Sequence, residues 1–355
     1  MEYITLKDIA IINMGQSPDS KTYNEEKEGI PFYQGKSDFG KINPIPRVWC
    51  SNPIKIAEKE DILISVRAPI GDTNIATERC CIGRGLASIR PLNENVNQKY
   101  LYYLLNSKYK ELNKFGTGST FKAITKDNLC NLKCTHIPDI KEQIEVVNKL
   151  DNVSKIIAIK KEQLEQLNTI IKSQFVEMFE RGQYPKDEFI NIAKEIYAGG
   201  DKPKDISKVQ DDEYLYPVFA NGYENEGLQG YSKSYRTGDN AATISARGTI
   251  GYSFIRNEKF TPIVRLITII PNEKANVVYL KYAIDNLNIA GSGTSQAQLT
   301  VPDIKKKKIT IPPIELQNQF ADIVKQIDKQ KFESMIKAKK EIVKIQKNIF
   351  YKWGR

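Results

Sequence analysis

The feature that most constrains this chain is an internal duplication with a period of about 177 residues. Residues 66–71, Val-Arg-Ala-Pro-Ile-Gly, recur as Ala-Arg-Gly-Thr-Ile-Gly at 246–251. Residues 116–120, Gly-Thr-Gly-Ser-Thr, recur as Gly-Ser-Gly-Thr-Ser at 291–295. Further matches follow in the same order, including Ile-Pro-Asp-Ile at 137–140 with Ile-Pro-Pro-Ile at 311–314. Repeated segments in a fixed order predict two copies of one structural unit.

Length and charge narrow the class of protein further. The chain has 355 residues, which predicts two or three domains with substantial cores. It has no apolar run of ~18 residues and no basic and apolar leader at Met1, so we expect a cytoplasmic protein without a membrane span. The net charge of +10 suits a polyanionic partner such as nucleic acid, although basic enzymes share this property.

Cysteine and histidine usage argues against several kinds of site. The five cysteines are odd in number and all lie in the first half, which predicts free thiols in a reducing compartment. Cys130, Cys134 and His136 resemble half of a zinc site, but no second ligand pair has suitable spacing, and the alternative is small buried thiols. His136 is the one histidine, so any catalytic triad would have to include it.

Each half combines a globular part with a long helix. Short β-branched runs at 62–66 and 263–270 predict strands, and the segments 100–105 and 278–283 predict one short amphipathic helix per half. The fold class is therefore mixed α/β (α+β). We predict globular domains at 1–140 and 185–312, followed by helical segments at 141–184 and 313–355.

The helical segments carry a heptad pattern of apolar residues. Residues 140–181 contain neither glycine nor proline, and Pro312-Pro313 precede the second segment. The predicted seams are Leu150, Val153, Ile157, Leu164, Leu167, Ile171 and Met178 in the first helix, and Met335, Ala338, Ile342, Ile345 and Ile349 in the second.

A heptad seam must be buried, and two arrangements can bury it. Each helix can pack on its own domain, or the two helices can form an antiparallel coiled coil, which would give the chain pseudo-twofold symmetry. Residues 141–180 carry six basic and seven acidic residues, whereas 314–355 carry ten basic and five acidic. The two segments thus have net charges of opposite sign, which favours pairing of the helices with each other. The preference is weak, because exposed ion pairs stabilise little.

Familiar catalytic motifs are missing from the sequence. We find no Gly-x-x-x-x-Gly-Lys-Ser/Thr loop, no Gly-x-Gly-x-x-Gly fingerprint and no Asn-Pro-Pro-Tyr/Phe of amino-methyltransferases. A nuclease-like Pro-Asp with Glu-x-Lys occurs only at 18–27 and has no copy in the second half. The sequence therefore predicts no catalytic, metal-binding or cofactor-binding residue in this chain.

The residues that do recur are suited to binding DNA. Repeated glycines, hydroxyls and an arginine can contact phosphates and base edges, although the Gly-rich segments can also be plain turns and the arginines structural ion pairs. Lysines 305–308 can contact phosphate or form a solvated surface. The predicted DNA-contacting residues are Gln34, Lys36, Arg67, Gly116, Gly118, Ser119, Thr120, Lys122, Asn221, Arg247, Gly291, Gly293, Thr294, Ser295 and Gln296.

These motifs together resemble a known family. Residues 116–129 (Gly-Thr-Gly-Ser-Thr-Phe-Lys-Ala-Ile-Thr-Lys-Asp-Asn-Leu), 137–143 (Ile-Pro-x-Ile-x-x-Gln) and 172–179 (Lys-Ser-Gln-Phe-x-x-Met-Phe) resemble the specificity subunit of type I restriction–modification enzymes. Residues 311–321 look like a second copy. The resemblance covers essentially the whole chain. It implies two target-recognition domains, each reading one half of a split site in double-stranded DNA, with the helices as an antiparallel spacer.

The resemblance also implies partners. Two modification subunits would dock on the helices and bring S-adenosylmethionine, and restriction subunits, with ATP and Mg²⁺, would add to that core. No cofactor is expected on this chain. Two alternatives stay open: a self-contained DNA methyltransferase or nuclease, and a bivalent scaffold that does not bind DNA.

Overall fold

A computed structural model of the chain describes residues 4–115, 123–134, 137–287, 289 and 298–353, without the side chains of 346–353. It divides into two compact units, one comprising residues 1–156 and 342–355 (unit 1) and the other residues 157–341 (unit 2). The division falls within both long helices, so each unit contains one globular domain and part of each helix. In the described part of the chain, no helix is long and apolar enough to cross a membrane.

The first domain is built from short strands and helices. Its strands are β1 (Ile4–Thr5), β2 (Ala10–Met14), β3 (Tyr23–Asn24), β4 (Ile30–Tyr33), β5 (Trp49–Cys50), β6 (Ile56–Ala57), β7 (Ile62–Ser65), β8 (Thr73–Ile75), β9 (Cys80–Ile82), β10 (Leu86–Pro91) and β11 (Lys133–Cys134). Its helices are α1 (Leu6–Ile9), α2 (Gln98–Ser107), α3 (Tyr109–Phe115) and α4 (Lys126–Cys130), and the long helix α5 (Ile140–Phe175) follows.

The second domain has a similar order of elements, with two fewer strands among the described residues. Its strands are β12 (Lys186–Glu188), β13 (Ala193–Ala198), β14 (Tyr216–Phe219), β15 (Leu228–Ser232), β16 (Ala241–Ile244), β17 (Ser253–Arg256), β18 (Thr261–Pro262), β19 (Ile267–Pro271) and β20 (Lys308–Thr310). Its helices are α6 (Phe189–Ile192), α7 (Val277–Asn286) and α8 (Val301–Lys305), and the long helix α9 (Ile314–Trp353) follows.

The two domains share a sheet topology. An antiparallel sheet of order β2-β10-β7-β8 in the first domain corresponds to β13-β19-β16-β17 in the second. In a second sheet, β4 pairs in parallel with β9, as β14 does with β18. The duplication in sequence is therefore also a duplication of fold.

Local sequence explains where the short helices begin. Thr125 and Thr300, at equivalent positions, accept hydrogen bonds from the backbone N–H three residues later and form capping boxes at α4 and α8. Asn97 and Asn276 cap α2 and α7. Helices α2 and α7 lie where the sequence predicted one short helix in each half.

A buried glutamine in the first turn of each long helix ties that helix to its domain. Gln143 of α5 and Gln317 of α9 are both fully buried. The Gln143 side-chain amide donates to the carbonyls of Asn95 and Pro138, both at 2.8 Å. Because Gln143 thereby joins the loop before α2 to Pro138, two residues before α5 begins, it fixes the direction in which the long helix leaves the domain.

In unit 2 the end of α5 packs against the beginning of α9. After Phe175 the helix continues as a π-helical turn, Val176–Glu180. This turn buries Phe179, whose ring lies 5.3 Å from that of Phe320 in α9 and 4.8 Å from that of Tyr279 in α7. The Phe175 ring lies 5.5 Å from that of Phe320. Contact between the end of one helix and the start of the other is the order expected of an antiparallel pair.

Most of the predicted seam positions are at least partly shielded from solvent. Ile171 and Ala338 are buried, and half-buried positions are Leu150, Val153, Leu164, Leu167, Met178, Ile342 and Ile345. The side chain of Ile349 lies outside the described residues.

Two predicted seam positions are wrong. Ile157 is 41% exposed while Ile156 is half-buried, and Met335 is 54% exposed while Ser334 is half-buried. In α9, alternating steps of four and three from the buried Phe320 reach 324, 327, 331, 334 and 338, so they pass through Ser334 rather than Met335. In α5, the same count from the buried Ile171 reaches Ile157, so the heptad pattern does not explain the exposure of that residue.

The predicted strand at 263–270 is partly wrong. Strand β19 begins at Ile267, because Val264 and Arg265 have positive φ angles of 53° and 62° and form a turn. Their backbone N–H groups donate to the carbonyls of Gly200 and Gly199, at 2.8 and 2.9 Å. These long-range bonds hold a β-branched residue in a backbone region that it rarely adopts.

Candidate nucleic-acid interface

Each domain presents an exposed arginine on a turn that follows a buried strand. In unit 2, Arg247 lies on the turn 245–252, which is closed by hydrogen bonds from Gly251 N to Ser245 O (3.0 Å) and from Ser245 N to Tyr252 O (2.9 Å). The buried Ser245 follows strand β16 directly. The strand thus anchors the turn and leaves the arginine in solvent.

The first domain repeats this turn. Arg67 lies on the turn 65–72, closed by bonds from Gly71 N to Ser65 O and from Ser65 N to Asp72 O, both 2.9 Å. We call residues 65–72 and 245–252 the arginine turns. Their shared hydrogen bonds show that Asp72 and Tyr252 occupy equivalent positions.

In both domains the chain that leaves the Gly-rich segment passes beside the arginine turn. In unit 1, Ile124 N donates to Val66 O at 2.9 Å, and Ala123 forms a β-bridge with Arg67. In unit 2, Leu299 N donates to Ala246 O at 2.9 Å. The Arg247 guanidinium donates to Gln298 Oε1 at 2.6 Å, at the position equivalent to Ala123. The sequence-predicted arginines and the ends of the Gly-rich segments are thus neighbours.

Ten of the predicted DNA-contacting residues lie outside the described residues, as does His136. The ten are Gly116, Gly118, Ser119, Thr120, Lys122, Gly291, Gly293, Thr294, Ser295 and Gln296. Their roles stay predictions.

The other predicted contacts have distinct surroundings. Gln34 is exposed, and Lys36 forms an ion pair with Asp72 at 2.7 Å. Asn221 is half-buried: its side chain donates to Val264 O and accepts from Ala246 N, both at 2.7 Å. Asn221 thus uses its amide to position the arginine turn, and its side chain is not free to read a base in this conformation.

Each domain carries a further exposed arginine on a second turn, which the repeat in the sequence does not indicate. Arg84 follows Gly83, whose N–H donates to Tyr33 O at 2.8 Å. In unit 2, Arg265 lies two residues after Ile263, whose N–H donates to Phe219 O at 2.9 Å.

The two turns are equivalent, but their arginines differ by one position. Gly85 O accepts from Val66 N at 2.9 Å, so the Arg84 turn adjoins the arginine turn of its own domain. Comparison at the 180-residue offset pairs Arg84 with Val264 and therefore hides the correspondence with Arg265.

Lysines 305–308 surround the end of α8 and the start of β20. Lys306 and Lys308 are exposed, whereas Lys305 and Lys307 are half-buried. The first and third lysines thus differ from their neighbours in access to solvent, and phosphate contact at this run stays a prediction.

Local structure accounts for the aspartate of the nuclease-like motif and for the buried cysteines. Asp19 accepts a hydrogen bond from Lys21 N at 3.0 Å and caps a 3₁₀ turn. Cys50, Cys80, Cys81 and Cys134 are buried, and burial raises the pKa of Cys134 to about 11. Among the described residues, no group of three or more His, Cys, Asp or Glu side chains could hold a metal ion.

Comparison with known proteins gives a consistent result across the chain. A family model described as the type I restriction modification DNA specificity domain matches residues 1–169 and 192–344. The MjaX specificity subunit of a type I restriction enzyme from Methanocaldococcus jannaschii is 45% identical over 156 residues, which cover 44% of this chain and 36% of that protein. The match thus spans little more than a third of that relative.

Two further matches extend over nearly the whole chain. The MjaIX specificity subunit of a type I restriction enzyme from the same organism is 25% identical, covering 96% of this chain and 89% of that protein. A crystal structure of a type I restriction-modification system S subunit from M. genitalium covers 98% of this chain and 94% of its own, with a TM-score of 0.55 and 16% identity. This last likeness shows a shared fold.

Proposed function

The chain belongs to the type I restriction–modification DNA specificity family, and on that premise we propose that it selects the DNA site on which such a complex acts. Each domain reads one half of a bipartite, asymmetric site in double-stranded DNA. The observation that carries this proposal is the repeated placement of Arg67 and Arg247. Both follow equivalent strands, and both lie beside the chain that leaves the repeated Gly-rich segment.

The exposed side chains are suited to this task. A guanidinium can donate two parallel hydrogen bonds to guanine O6 and N7 or to a phosphate. Arg84 and Arg265 add a second cation on an adjoining turn in each domain. A pair of arginines on rigid turns favours one arginine reading a base while the other contacts the backbone.

The two long helices act as the spacer between the half-sites. Helix α5 has 36 residues and α9 has 40, which correspond to lengths of roughly 54 and 60 Å at a rise of ~1.5 Å per residue. At ~3.4 Å per base step, such rods span on the order of 16–18 base pairs between domain centres. Each domain covers several of these, so the unread gap is about one helical turn.

The chemistry of methyl transfer and cleavage belongs to partner subunits. Two modification subunits dock on the helices and bring S-adenosylmethionine, and restriction subunits bring ATP and Mg²⁺. This division is supported by the residues that recur in the two domains, since arginines and amides bind phosphates and base edges but do not transfer methyl groups. Because the domains are linked, binding of the second half-site is effectively intramolecular.

Mapping of DNA methylation in cells with and without this gene tests the proposal. We expect one bipartite motif whose methylation disappears when the gene is deleted. The purified chain, given DNA with S-adenosylmethionine or Mg²⁺, should neither methylate nor cleave it. Turnover by the pure chain, abolished by a substitution within it, would show a self-contained enzyme. Absence of DNA binding in the assembled complex would show a scaffold of another kind.

A further inference from the structure

One position beside the arginine turns has the same backbone in both domains but different side-chain chemistry. Asp72 and Tyr252 close the two arginine turns through the same backbone hydrogen bond. In the first domain, Asp72 forms its ion pair with Lys36. In the second domain, Tyr252 instead packs against Tyr223, with ring centroids 4.7 Å apart. A charged pair in one domain is therefore replaced by an aromatic pair in the other.

The two partner residues come from equivalent loops. Lys36 lies three residues beyond Tyr33, the end of strand β4, and Tyr223 lies four residues beyond Phe219, the end of strand β14. These strands are equivalent, because each pairs in parallel with the strand that precedes the turn of Arg84 or of Arg265. The two domains thus differ in the side chains at one equivalent location of a shared fold.

The aromatic pair is open to solvent. Tyr223 is 60% exposed and Tyr252 is 46% exposed. Exposure of two neighbouring aromatic rings forgoes the favourable burial of their apolar surface, and such a patch is typical of a binding surface. Tyr252 lies at the end of the turn that carries Arg247, so the aromatic pair adjoins that turn.

A buried arginine holds the loop that presents Tyr223. Arg256 is 2% exposed, and its guanidinium lies 3.6 Å from the ring centroid of Phe219. It donates to Glu226 Oε2 at 3.0 Å and to Glu226 O at 2.8 Å. Burial lowers the pKa of Arg256 to about 10, so the guanidinium is still protonated at neutral pH.

The loop needs this support because its backbone is unusual. Asn225 and Glu226 have φ angles of 48° and 54°, and Gly227 has one of 82°. Glycine adopts such an angle freely, but two consecutive non-glycine residues in the left-handed region are costly unless their surroundings fix them. Arg256 is therefore a positioning residue for Tyr223.

We propose that Tyr223 and Tyr252 are specificity-determining residues of the second domain, and that their rings contact the 5-methyl group of a thymine in its DNA half-site. The proposal rests on the proposed function, since it requires that this domain bind DNA. Apolar contact with the thymine methyl is one of the ways in which side chains read the major groove. The first domain, with Lys36 and Asp72 at the same place, reads its half-site by polar contacts there.

Binding of the complete complex, assembled with its modification subunits, to duplexes carrying the mapped site tests this proposal. Each thymine of the second half-site is replaced in turn by deoxyuridine, which lacks the methyl group. One replacement should weaken binding by the wild-type complex about fourfold, the effect of one methyl-sized group. The same replacement should have no effect on complexes carrying Tyr223→Ala or Tyr252→Ala.

Matched variants separate recognition from folding. Tyr223→Phe and Tyr252→Phe keep the rings and should keep the sensitivity to deoxyuridine. Lys36→Ala, at the equivalent place in the first domain, should change recognition of the first half-site only. Glu226→Gln should reduce the sensitivity partly, because it weakens the hold of Arg256 on the loop.

The outcomes distinguish the two proposals. A wild-type complex that binds the mapped site but is insensitive to every thymine replacement would overturn the tyrosine assignment and leave the proposed function intact. The same conclusion would follow if the alanine variants kept the wild-type sensitivity. A complex that binds no specific DNA would overturn the proposed function itself.

Discussion

The backbone N–H of Asn97 donates to Gln143 Oε1 at 2.7 Å, and the backbone N–H of Asn276 donates to Gln317 Oε1 at 2.9 Å. In each domain the residue that caps the short helix is thereby bonded to a fully buried glutamine of the long helix. The two junctions between domain and helix are therefore built in the same way.

Replacement of either glutamine should destabilise its unit. Gln143→Leu or Gln317→Leu leaves buried backbone N–H and C=O groups without partners, which costs about 1–3 kcal/mol. Chemical unfolding of the purified chain measures this cost. Gln319→Leu, at an exposed position of α9, is the control and should change stability little. Equal effects at 317 and 319 would contradict the role of the buried amide.

Loss of the aromatic contact between α5 and α9 should be more costly. Phe320 is fully buried, and its ring lies 5.5 Å from that of Phe175 in α5 and 5.3 Å from that of Phe179 in the π-helical turn that follows. Phe320→Ala should destabilise unit 2 by about 3–5 kcal/mol, because it removes a large buried ring. Phe332→Ala on the same helix removes a ring that is 65% exposed and should have little effect in the isolated chain. Thermal unfolding of both variants gives the comparison.

The ion pair between α2 and α5 should make a small, pH-dependent contribution. Burial alone would raise the pKa of Asp151, but hydrogen bonds from Lys99 (2.6 Å) and Tyr103 (2.7 Å) outweigh it and lower that pKa. The stabilisation is therefore present above the ordinary carboxyl pKa of about 3.9 and is lost as the pH falls through the lowered value.

Comparison of Asp151→Asn with the wild type across pH measures this contribution. The variant should be less stable by less than about 1 kcal/mol between pH 5 and 8, because the pair is partly exposed. The difference should shrink below about pH 4. A difference that stays constant down to pH 2 would show that the carboxylate charge does not matter.

The arginine turns should act on separate half-sites. Arg67→Ala and Arg247→Ala should each weaken specific binding by the assembled complex by about 1–3 kcal/mol, or about 5- to 150-fold, and relax recognition of one half-site only. Arg79→Ala is the control, since Arg79 is 61% exposed and forms only a loose ion pair with Glu58 at 3.6 Å. Binding to duplexes altered in one half-site at a time measures the effect. Loss of recognition of both half-sites by one variant would contradict independent readers.

The repeat made much of this fold predictable. Because the motifs recur in order, the sequence indicated two like domains, and the absence of glycine and proline from 140–181 indicated the first long helix. Details that depend on distant contacts were not predictable. Val264 and Arg265 lie in a β-branched run that is typical of a strand. Their backbone N–H groups nevertheless donate to the carbonyls of Gly200 and Gly199, and these bonds hold the two residues in a turn.

The candidate site was predictable only where the two copies kept the same spacing. Arg67 and Arg247 recur at a constant offset, so the sequence identified them. Arg84 and Arg265 occupy equivalent turns but differ by one position, so the repeat concealed them. The tyrosine pair has no counterpart of its own kind in the first half. The 180-residue offset aligns Tyr252 with Asp72, and the shared hydrogen bonds of the arginine turns agree with that alignment.

The most direct test of two independent readers is exchange of one domain. Residues 185–312 are replaced by the corresponding segment of another family member whose site is known, and DNA methylation is mapped in cells that carry the hybrid with its modification subunits. The account predicts a bipartite site in which one half is that of the donor and the other half is unchanged. A continuous recognised sequence, or a hybrid in which both halves changed together, would contradict it.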